Sequence, residues 1–165
     1  MIQVNSDGGD SGKRSDVNEA SCPNDGIPLH KCGVVAVIGR GGKLLLIRRS
    51  NNVAAPGKYC FPGGAIEAGE TQEMALVREL QEELGVEVEP VRPLWESLTP
   101  WGVHLVWWKA RLTPEAAIKP NPREVAEVLW MKPGDAFAAS DLLESNRQFM
   151  EKVLSGEISL DLDQT

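Results

Sequence analysis

The feature that most constrains the fold is a segment of strong helix formers, residues 71–84, with an apolar stripe along one side. Leu76, Leu80 and Leu84 are spaced so that they lie on one helical face. Ala, Leu, Met, Gln, Glu and Arg dominate the segment, and Gly85 follows it as a typical helix-ending residue. The pattern therefore predicts an amphipathic helix whose leucines pack on a sheet.

Three carboxylates share a second face of this predicted helix. Glu79 precedes Glu82 and Glu83 at the i+3 and i+4 spacing, so the three side chains are neighbours on the helix surface. Like charges this close repel one another, unless solvent or a bound cation offsets the repulsion. Mg²⁺ prefers oxygen ligands of this kind. The spacing therefore predicts a site for a hard divalent cation on a helix that is anchored in the core.

The whole chain is predicted to form one domain between two less structured ends. Its 165 residues are 42% hydrophobic and 25% charged, which is ordinary for a single globular domain. Residues 1–27 are rich in Gly, Ser, Asp and Asn, so we expect a flexible N-terminal segment there. The domain is expected over residues 28–156, which leaves residues 157–165 as a C-terminal tail.

Charge and hydropathy argue against two classes of partner. A formal net charge of −7 is poorly suited to a nucleic acid polymer, whose affinity depends largely on Lys and Arg. A small phosphorylated ligand stays compatible, because bound metal ions can screen its charge. No apolar stretch approaches the ~20 residues that cross a bilayer, and the N-terminus lacks the apolar core of a secretory signal. We expect a cytoplasmic protein with no membrane association, either monomer or homodimer.

Cysteine usage gives little support for a structural metal or a disulfide framework. Cys22, Cys32 and Cys60 are odd in number and include no CxxC pair. Cys22, His30 and Cys32 would need a fourth ligand to form a zinc site. We therefore interpret them as two ordinary cysteines and a loop histidine.

Hydrophobic patterning predicts an α/β fold. Apolar runs at residues 34–38 and 43–48 flank a glycine-rich turn, which favours two paired strands. Further elements are expected as strands at residues 86–91, 103–111 and 125–131 and an amphipathic helix at residues 140–154. These elements suit a mixed sheet that is covered by helices.

The segment around the carboxylates also resembles a known family pattern, the Nudix box. That pattern is Gly, five residues, Glu, seven residues, then Arg-Glu-apolar-x-Glu-Glu-x-Gly-apolar. Its fixed positions are all filled, by Gly64, Glu70, Arg78, Glu79, Leu80, Glu82, Glu83, Gly85 and Val86. The resemblance implies a Nudix-type α/β/α sandwich with a mixed β-sheet. It also implies an enzyme that hydrolyses the diphosphate linkage of a nucleoside diphosphate joined to another group.

The resemblance implies metal ligands among the box residues. Glu79, Glu82 and Glu83 would coordinate Mg²⁺ or Mn²⁺, with the Gly64 carbonyl as a further ligand. One carboxylate would orient or deprotonate the attacking water. Glu79 is our first choice for that role, because it lies centrally between the other two acids and the segment from Gly64 to Glu70, which we call the glycine loop.

Supporting residues follow from the same resemblance. Arg78 lies next to the three acids and could neutralise their repulsion, and the resemblance implies that it supports the glycine loop by pairing with Glu70. Glu124 lies six residues before Trp130, where related enzymes often carry a further loop carboxylate, and is a candidate metal ligand or base. Glu127 competes with it for that role.

Substrate contacts are predicted at four residues. Arg48 and Arg49 are candidates for phosphate, and because strand side chains alternate, at most one of them should face the cleft. Phe61 and Asn146 stand near positions where MutT-like enzymes read a purine.

Sequence outside the box favours one substrate class among several. The compact length and the Phe-Pro-Gly-Gly approach resemble MutT-like nucleoside triphosphate pyrophosphohydrolases, including those that act on oxidised dGTP. Residues 45–50 echo the upstream motif of coenzyme A pyrophosphatases, but Ala54 stands where that motif has an arginine. ADP-ribose or another nucleotide sugar is a further alternative, and a Nudix domain that binds a nucleotide without turnover is a different class of function.

Overall fold

The computed structural model describes residues 32–162, with seven strands and three helices in that range. In chain order the elements are β1 Cys32–Arg40, β2 Lys43–Arg49, β3 Tyr59–Cys60, β4 Gly63–Ala65, α1 Gln72–Leu84, β5 Val88–Leu98, β6 His104–Leu112, β7 Val125–Met131, α2 Pro133–Ala138 and α3 Glu144–Leu154. The predicted N-terminal segment, residues 1–27, lies outside the described residues, as do Cys22 and His30.

The strands form a mixed sheet in the order β3-β2-β1-β6-β5, with β4 paired to β1 and β7 paired to β2. Strands β1 and β6 run parallel, and the other pairs are antiparallel. Alternate residues of β1 serve two cores. Val34, Ala36 and Ile38 pack on the side of α1, whereas Val35 and Val37 pack on the side of α3. The predicted α/β/α arrangement with a mixed sheet is therefore confirmed.

The helix predicted over residues 71–84 forms α1, and its stripe packs as expected. Leu76, Leu80 and Leu84 are fully buried. On the other face of the sheet, the rings of Trp107 and Phe149 stack with centroids 4.3 Å apart. Both faces of the sheet are thus covered by helices.

One strand and one helix differ from the bounds that the sequence predicts. Strand β5 continues to Leu98 through Pro90 and Pro93, which are tolerated because β5 is an edge strand with register shifts near both prolines. The second predicted helix, residues 140–154, begins only at Glu144, and the short helix α2 precedes it.

Part of the predicted C-terminal tail lies on the sheet. Leu160 is buried, and the Nζ of Lys109 donates to the Asp161 carbonyl at 3.0 Å. Cys32 takes part in a disulfide bond, which the odd cysteine count did not indicate, while Cys60 is free and buried. None of the helices in residues 32–162 is long and apolar enough to cross a membrane.

Candidate active site

Both ends of α1 are capped by local hydrogen bonds. The Thr71 hydroxyl accepts the Met74 N–H at 3.2 Å and so caps the first turn. Gly85 has a φ of 62° and its N–H bonds the Gln81 carbonyl, which closes the last turn in a left-handed conformation that favours glycine. The buried leucines of α1 set the rotation of the helix, which places Glu79 and Glu83 against strand β4.

Glu79 lies directly against the backbone of β4. A Cβ built on Gly64 would overlap the Glu79 carboxylate, so any side chain at this position would displace that carboxylate. Burial raises the pKa of Glu79, and the nearby Glu82 and Glu124 raise it further, against the lowering effect of Arg78. The carboxylate is thus held in a place where its negative charge is disfavoured.

Glu83 is the most deeply buried of the three acids. Its side chain accepts the Gly63 N–H at 2.9 Å through Oε2. Burial is the largest cause and raises its pKa to about 8, against the lowering effect of the Gly63 hydrogen bond; Glu79 and Glu124 raise the pKa further, and Arg49 lowers it. A buried acid in this setting is stabilised by a cation or by a proton.

Arg78 joins the glycine loop to the acidic face. Its Nε and Nη2 bind the two oxygens of Glu70 at 2.6 and 2.9 Å, and Nη2 also donates to the Ala65 carbonyl at 2.8 Å. Nη1 donates to Glu79 at 2.9 Å and to Glu82 at 3.4 Å. The hydrogen bond from Arg78 lowers the pKa of Glu70, and the carboxylates raise the pKa of Arg78. The predicted pairing of Arg78 with Glu70 is present in the structure.

Glu82 differs from its two neighbours in exposure. Its side chain is 52% exposed, and Arg78 is its ion-pair partner. Glu79 and Glu83 are buried. The three acids therefore form a gradient from the protein interior to its surface.

The loop before β7 brings a fourth acid to the same place. Glu124 lies close enough to raise the pKa of both Glu79 and Glu83. Glu127 is exposed and lies opposite Arg48 in the pairing of β7 with β2. Of the two candidates named from the sequence, Glu124 is the one that faces the acids of α1.

The donor set fits a hard divalent cation, although the side chains do not converge as a finished site. Within residues 32–162, no three His, Cys, Asp or Glu side chains are arranged as ready metal ligands. Arg78 holds one oxygen of Glu79, and the Gly63 N–H holds one oxygen of Glu83. The second oxygen of each carboxylate forms no hydrogen bond with the described residues. Glu79 and Glu83 are buried against glycine backbone, and the pKa of each is raised. A cation bound by their oxygens would offset the repulsion between the carboxylates.

A cleft of about 260 Å³ opens along Gly63 and Gly64, the residues that Glu83 and Glu79 contact. Arg49 lines it, and its Nε donates to the Ala54 carbonyl at 2.6 Å. Arg48 instead donates to the Gly57 carbonyl and lies over the Tyr59 ring, with 5.6 Å from its Cζ to the ring centroid. Of the two arginines, Arg49 lines this cleft and Arg48 does not.

Phe61 and Asn146 also line this cleft, but both take part in the fold. Phe61 packs edge-on against Trp107 and Phe149, with centroid distances of 5.9 and 5.5 Å. The Asn146 Oδ1 accepts the Phe61 N–H at 2.7 Å, and its Nδ2 donates to the Ser145 hydroxyl at 3.1 Å. The amide oxygen of Asn146 is therefore occupied, which leaves its nitrogen and Ser145 as polar groups for a ligand.

Sequence reasoning missed two residues that hold the Glu124 loop, Asn121 and Ser50. The Asn121 Nδ2 donates to Glu124 at 3.1 Å, and the Ser50 hydroxyl donates to the Arg123 carbonyl at 2.5 Å. The Asn-x-x-Glu spacing from Asn121 to Glu124 is a local signal for Asn121, because such pairs often close turns. No local pattern marks Ser50, whose partner is distant in the chain.

Comparison with known proteins agrees with this geometry. The chain is 35% identical over 124 residues to a MutT-like protein of Streptomyces ambofaciens, with 73% of each chain covered. It is 50% identical over 54 residues to the CTP pyrophosphohydrolase of Escherichia coli strain K12, which covers 33% of this chain and 40% of that protein. The crystal structure of the MutT protein from Methanosarcina mazei Go1 superposes with a TM-score of 0.65 at 24% identity, covering 76% of this chain and 94% of that one.

The family itself is shown by a longer match. A family model of the NUDIX domain matches residues 29–153, which include the glycine loop, α1, β7 and most of α3. Nudix hydrolases generally use divalent metal ions, in agreement with the oxygen donors on α1. The chain therefore belongs to the Nudix family and is a Nudix hydrolase.

Proposed function

We propose that this chain is a Mg²⁺-dependent pyrophosphohydrolase that converts a nucleoside triphosphate, oxidised forms included, to the monophosphate and pyrophosphate. The observation that carries the proposal is the burial of Glu79 and Glu83 against the Gly63–Gly64 backbone, beside a cleft that also contains Arg49. Carboxylates of this kind suit Mg²⁺, and Mn²⁺ accepts the same oxygen ligands. A cationic side chain in the same cleft supports a phosphate-bearing ligand.

The proposed metal ligands are the acids around α1. Glu79, Glu82, Glu83 and the Gly64 carbonyl would hold the ion, with Glu124 as a further ligand. When bound, a divalent ion supplies charge neutralisation on the nonbridging phosphate oxygens.

The protein groups would prepare water and substrate for an in-line displacement. Water attacks a phosphorus atom, the P–O bond between the α and β phosphates breaks, pyrophosphate leaves, and one proton is released. We assign Glu79 to orient the water and accept its proton, because burial raises its pKa towards the range in which a general base works. Arg78 keeps Glu79 and Glu70 in position, and Arg49 would bind a phosphate oxygen.

Relatives and cleft together support the triphosphate class. A MutT-like protein and a CTP pyrophosphohydrolase are among the similar proteins. Phe61 and Asn146 line the cleft, which supports a base site there that uses the Asn146 nitrogen. ADP-ribose, another nucleotide sugar and coenzyme A remain alternatives because they carry the same diphosphate linkage, and a binding module without turnover is the other class.

A substrate panel separates these functions. The protein would be incubated with Mg²⁺ and standard dNTPs, oxidised dNTPs, CTP, ADP-ribose, diadenosine polyphosphates or coenzyme A, and the products separated by anion-exchange chromatography. We expect a nucleoside monophosphate and pyrophosphate from one or more triphosphates. Faster turnover of ADP-ribose or coenzyme A would replace the proposed substrate class. Binding with no turnover of any compound would favour the binding module.

Two glutamate variants test whether the activity found with the panel depends on the proposed metal site. Glu83→Gln removes a proposed ligand, and we expect its turnover to fall by about 100-fold or more. Glu127→Gln is the matched control, because Glu127 is exposed and lies opposite Arg48 rather than near α1. Equal activity in both variants would contradict the assignment of the metal site.

A further inference from the structure

Asn121 connects the loop acid Glu124 to the end of α1. Its backbone N–H donates to the Glu83 carbonyl at 2.8 Å, so the residue is fixed to the helix that carries the buried acids. Its Nδ2 donates to Glu124 Oε1 at 3.1 Å. One residue thus touches the backbone of one proposed ligand and the carboxylate of another.

The same residue also closes its own turn. The Asn121 Oδ1 accepts the Arg123 N–H at 3.1 Å, and its carbonyl accepts the N–H groups of Glu124 and Val125 at 3.0 and 2.8 Å. The side chain therefore makes two separate hydrogen bonds: its oxygen stabilises the turn, and its nitrogen binds the Glu124 carboxylate.

A second fixed point lies on the far side of the loop. The Ser50 N–H donates to the Glu124 carbonyl at 2.9 Å, and the buried Ser50 hydroxyl donates to the Arg123 carbonyl. Ser50 follows Arg49, which lines the cleft. Ser50 holds the backbone of Glu124 but not its side chain. The hydrogen bond from the Asn121 amide restricts the rotation of that side chain.

We propose that Asn121 is a positioning residue, which holds the Glu124 carboxylate towards the acids of α1 and so completes the cation site. The inference rests on the proposed function, because it assigns Glu124 a role in binding the ion. A carboxylate that is already held in place loses less rotational freedom when it binds a cation, and outer hydrogen bonds of this kind set the affinity of a metal site.

The direct test is a titration of the protein with Mn²⁺ in the absence of nucleotide. Binding is measured as the loss of the electron paramagnetic resonance signal of free Mn²⁺. Asn121→Ala removes both side-chain hydrogen bonds, the one to the Arg123 N–H and the one to Glu124. Asn121→Ser keeps an oxygen near the turn but is too short to reach Glu124 as the amide does. We expect each variant to bind Mn²⁺ about tenfold more weakly than the wild type. Asn51→Ala, at an exposed asparagine in the neighbouring loop, is the matched control and should bind like the wild type.

A double-mutant cycle with Glu124→Gln tests whether Asn121 acts through that carboxylate. We expect Asn121→Ala to cause no further loss of Mn²⁺ affinity in the Glu124→Gln background. In turnover, the Mg²⁺ concentration for half-maximal rate should rise, while the KM for nucleotide at saturating Mg²⁺ stays unchanged.

The outcomes separate this inference from the function on which it rests. Wild-type affinity in the folded Asn121→Ser variant, or independent losses from Asn121→Ala and Glu124→Gln, would overturn the role of Asn121 alone. If Asn121→Ala fails to fold, Asn121→Ser decides the matter, because its turn can still close. A wild-type protein that binds no Mn²⁺ would overturn the proposed function together with this inference.

Discussion

Gly64 has no side chain, and the Glu79 carboxylate occupies the space that a side chain would fill. Its φ is not in the left-handed region, so alanine meets no backbone strain there, and its Cβ would instead collide with the Glu79 carboxylate. We expect Gly64→Ala to lower kcat by about 100-fold, because a displacement of about 1 Å at a reacting group can have that effect. Steady-state hydrolysis of the best substrate of the panel measures it.

A glycine with open surroundings supplies the control for this prediction. A Cβ on Gly134, in α2, meets no atom within 4 Å, and its φ is also outside the left-handed region. Gly134→Ala should therefore leave kcat unchanged. If Gly64→Ala kept the wild-type kcat too, the contact between Gly64 and Glu79 would have no catalytic consequence.

Arg78 stabilises the glycine loop through a geometry that lysine cannot reproduce. Its guanidinium binds both oxygens of Glu70 and also reaches the Ala65 carbonyl. Lysine keeps the charge but lacks the planar fork. We expect Arg78→Lys to lower the free energy of unfolding by about 2 kcal/mol, measured by urea denaturation. Arg123→Lys, at an exposed position, should change it by no more than ~0.5 kcal/mol. Equal stability of the two variants would contradict the role of the bidentate pair.

At the scale of elements, a change at the N-cap of α1 should affect stability and not catalysis. Thr71 caps the helix and lies outside the acidic cluster. We expect Thr71→Ala to lower the free energy of unfolding by about 1 kcal/mol in urea denaturation, with kcat per folded molecule unchanged. Thr71→Ser keeps the hydroxyl and should retain most of the stability. A loss as large in Thr71→Ser would show that packing of the threonine methyl, and not the cap, is responsible.

The elements with strong local patterns could be predicted from sequence, and those that depend on a distant partner could not. Residues 71–84 carry leucine periodicity and a terminal glycine, so the bounds of α1 agree with the expectation within a residue. Strand β4 reads Gly-Gly-Ala, which has no strand preference, and forms because β1 supplies pairing partners. Helix α2 is too short to show a period.

The same distinction applies to the candidate site. The pairing of Arg78 with Glu70 lies within one motif and was predicted, as was the grouping of acids on α1. A register shift between Arg48 and Arg49 breaks the strand pattern at the point where it would decide which arginine faces the cleft. The backbone N–H of Asn121 is bonded to the Glu83 carbonyl, at a helix end far away in the chain, and only its contact with Glu124 is local. Positions of this kind follow from tertiary contacts and leave only weak local signals.

For the whole molecule, the buried acids make stability depend on pH when no metal is present. The pKa of Glu83 is about 8 in the folded protein and 4.5 for an ordinary glutamate, and the pKa of Glu79 is shifted in the same direction. Between pH 4.5 and 8 the folded state therefore holds a proton that the unfolded chain has released. Stability from this source is complete below pH 4.5 and falls as the pH rises towards 8, by at most about 1.4 kcal/mol per pH unit for Glu83.

Thermal unfolding in EDTA between pH 5 and 8 measures this dependence. We expect Tm to fall as the pH rises, and Mg²⁺ to reduce the fall, because a bound cation stabilises the ionised acids. The net charge of −7 also favours a decrease, so the two causes must be separated. Glu83→Gln removes the buried acid and should flatten the profile, whereas Glu115→Gln removes one exposed charge and should leave the slope as it was. Parallel slopes in the two variants would assign the pH dependence to overall charge and remove Glu83 as its source.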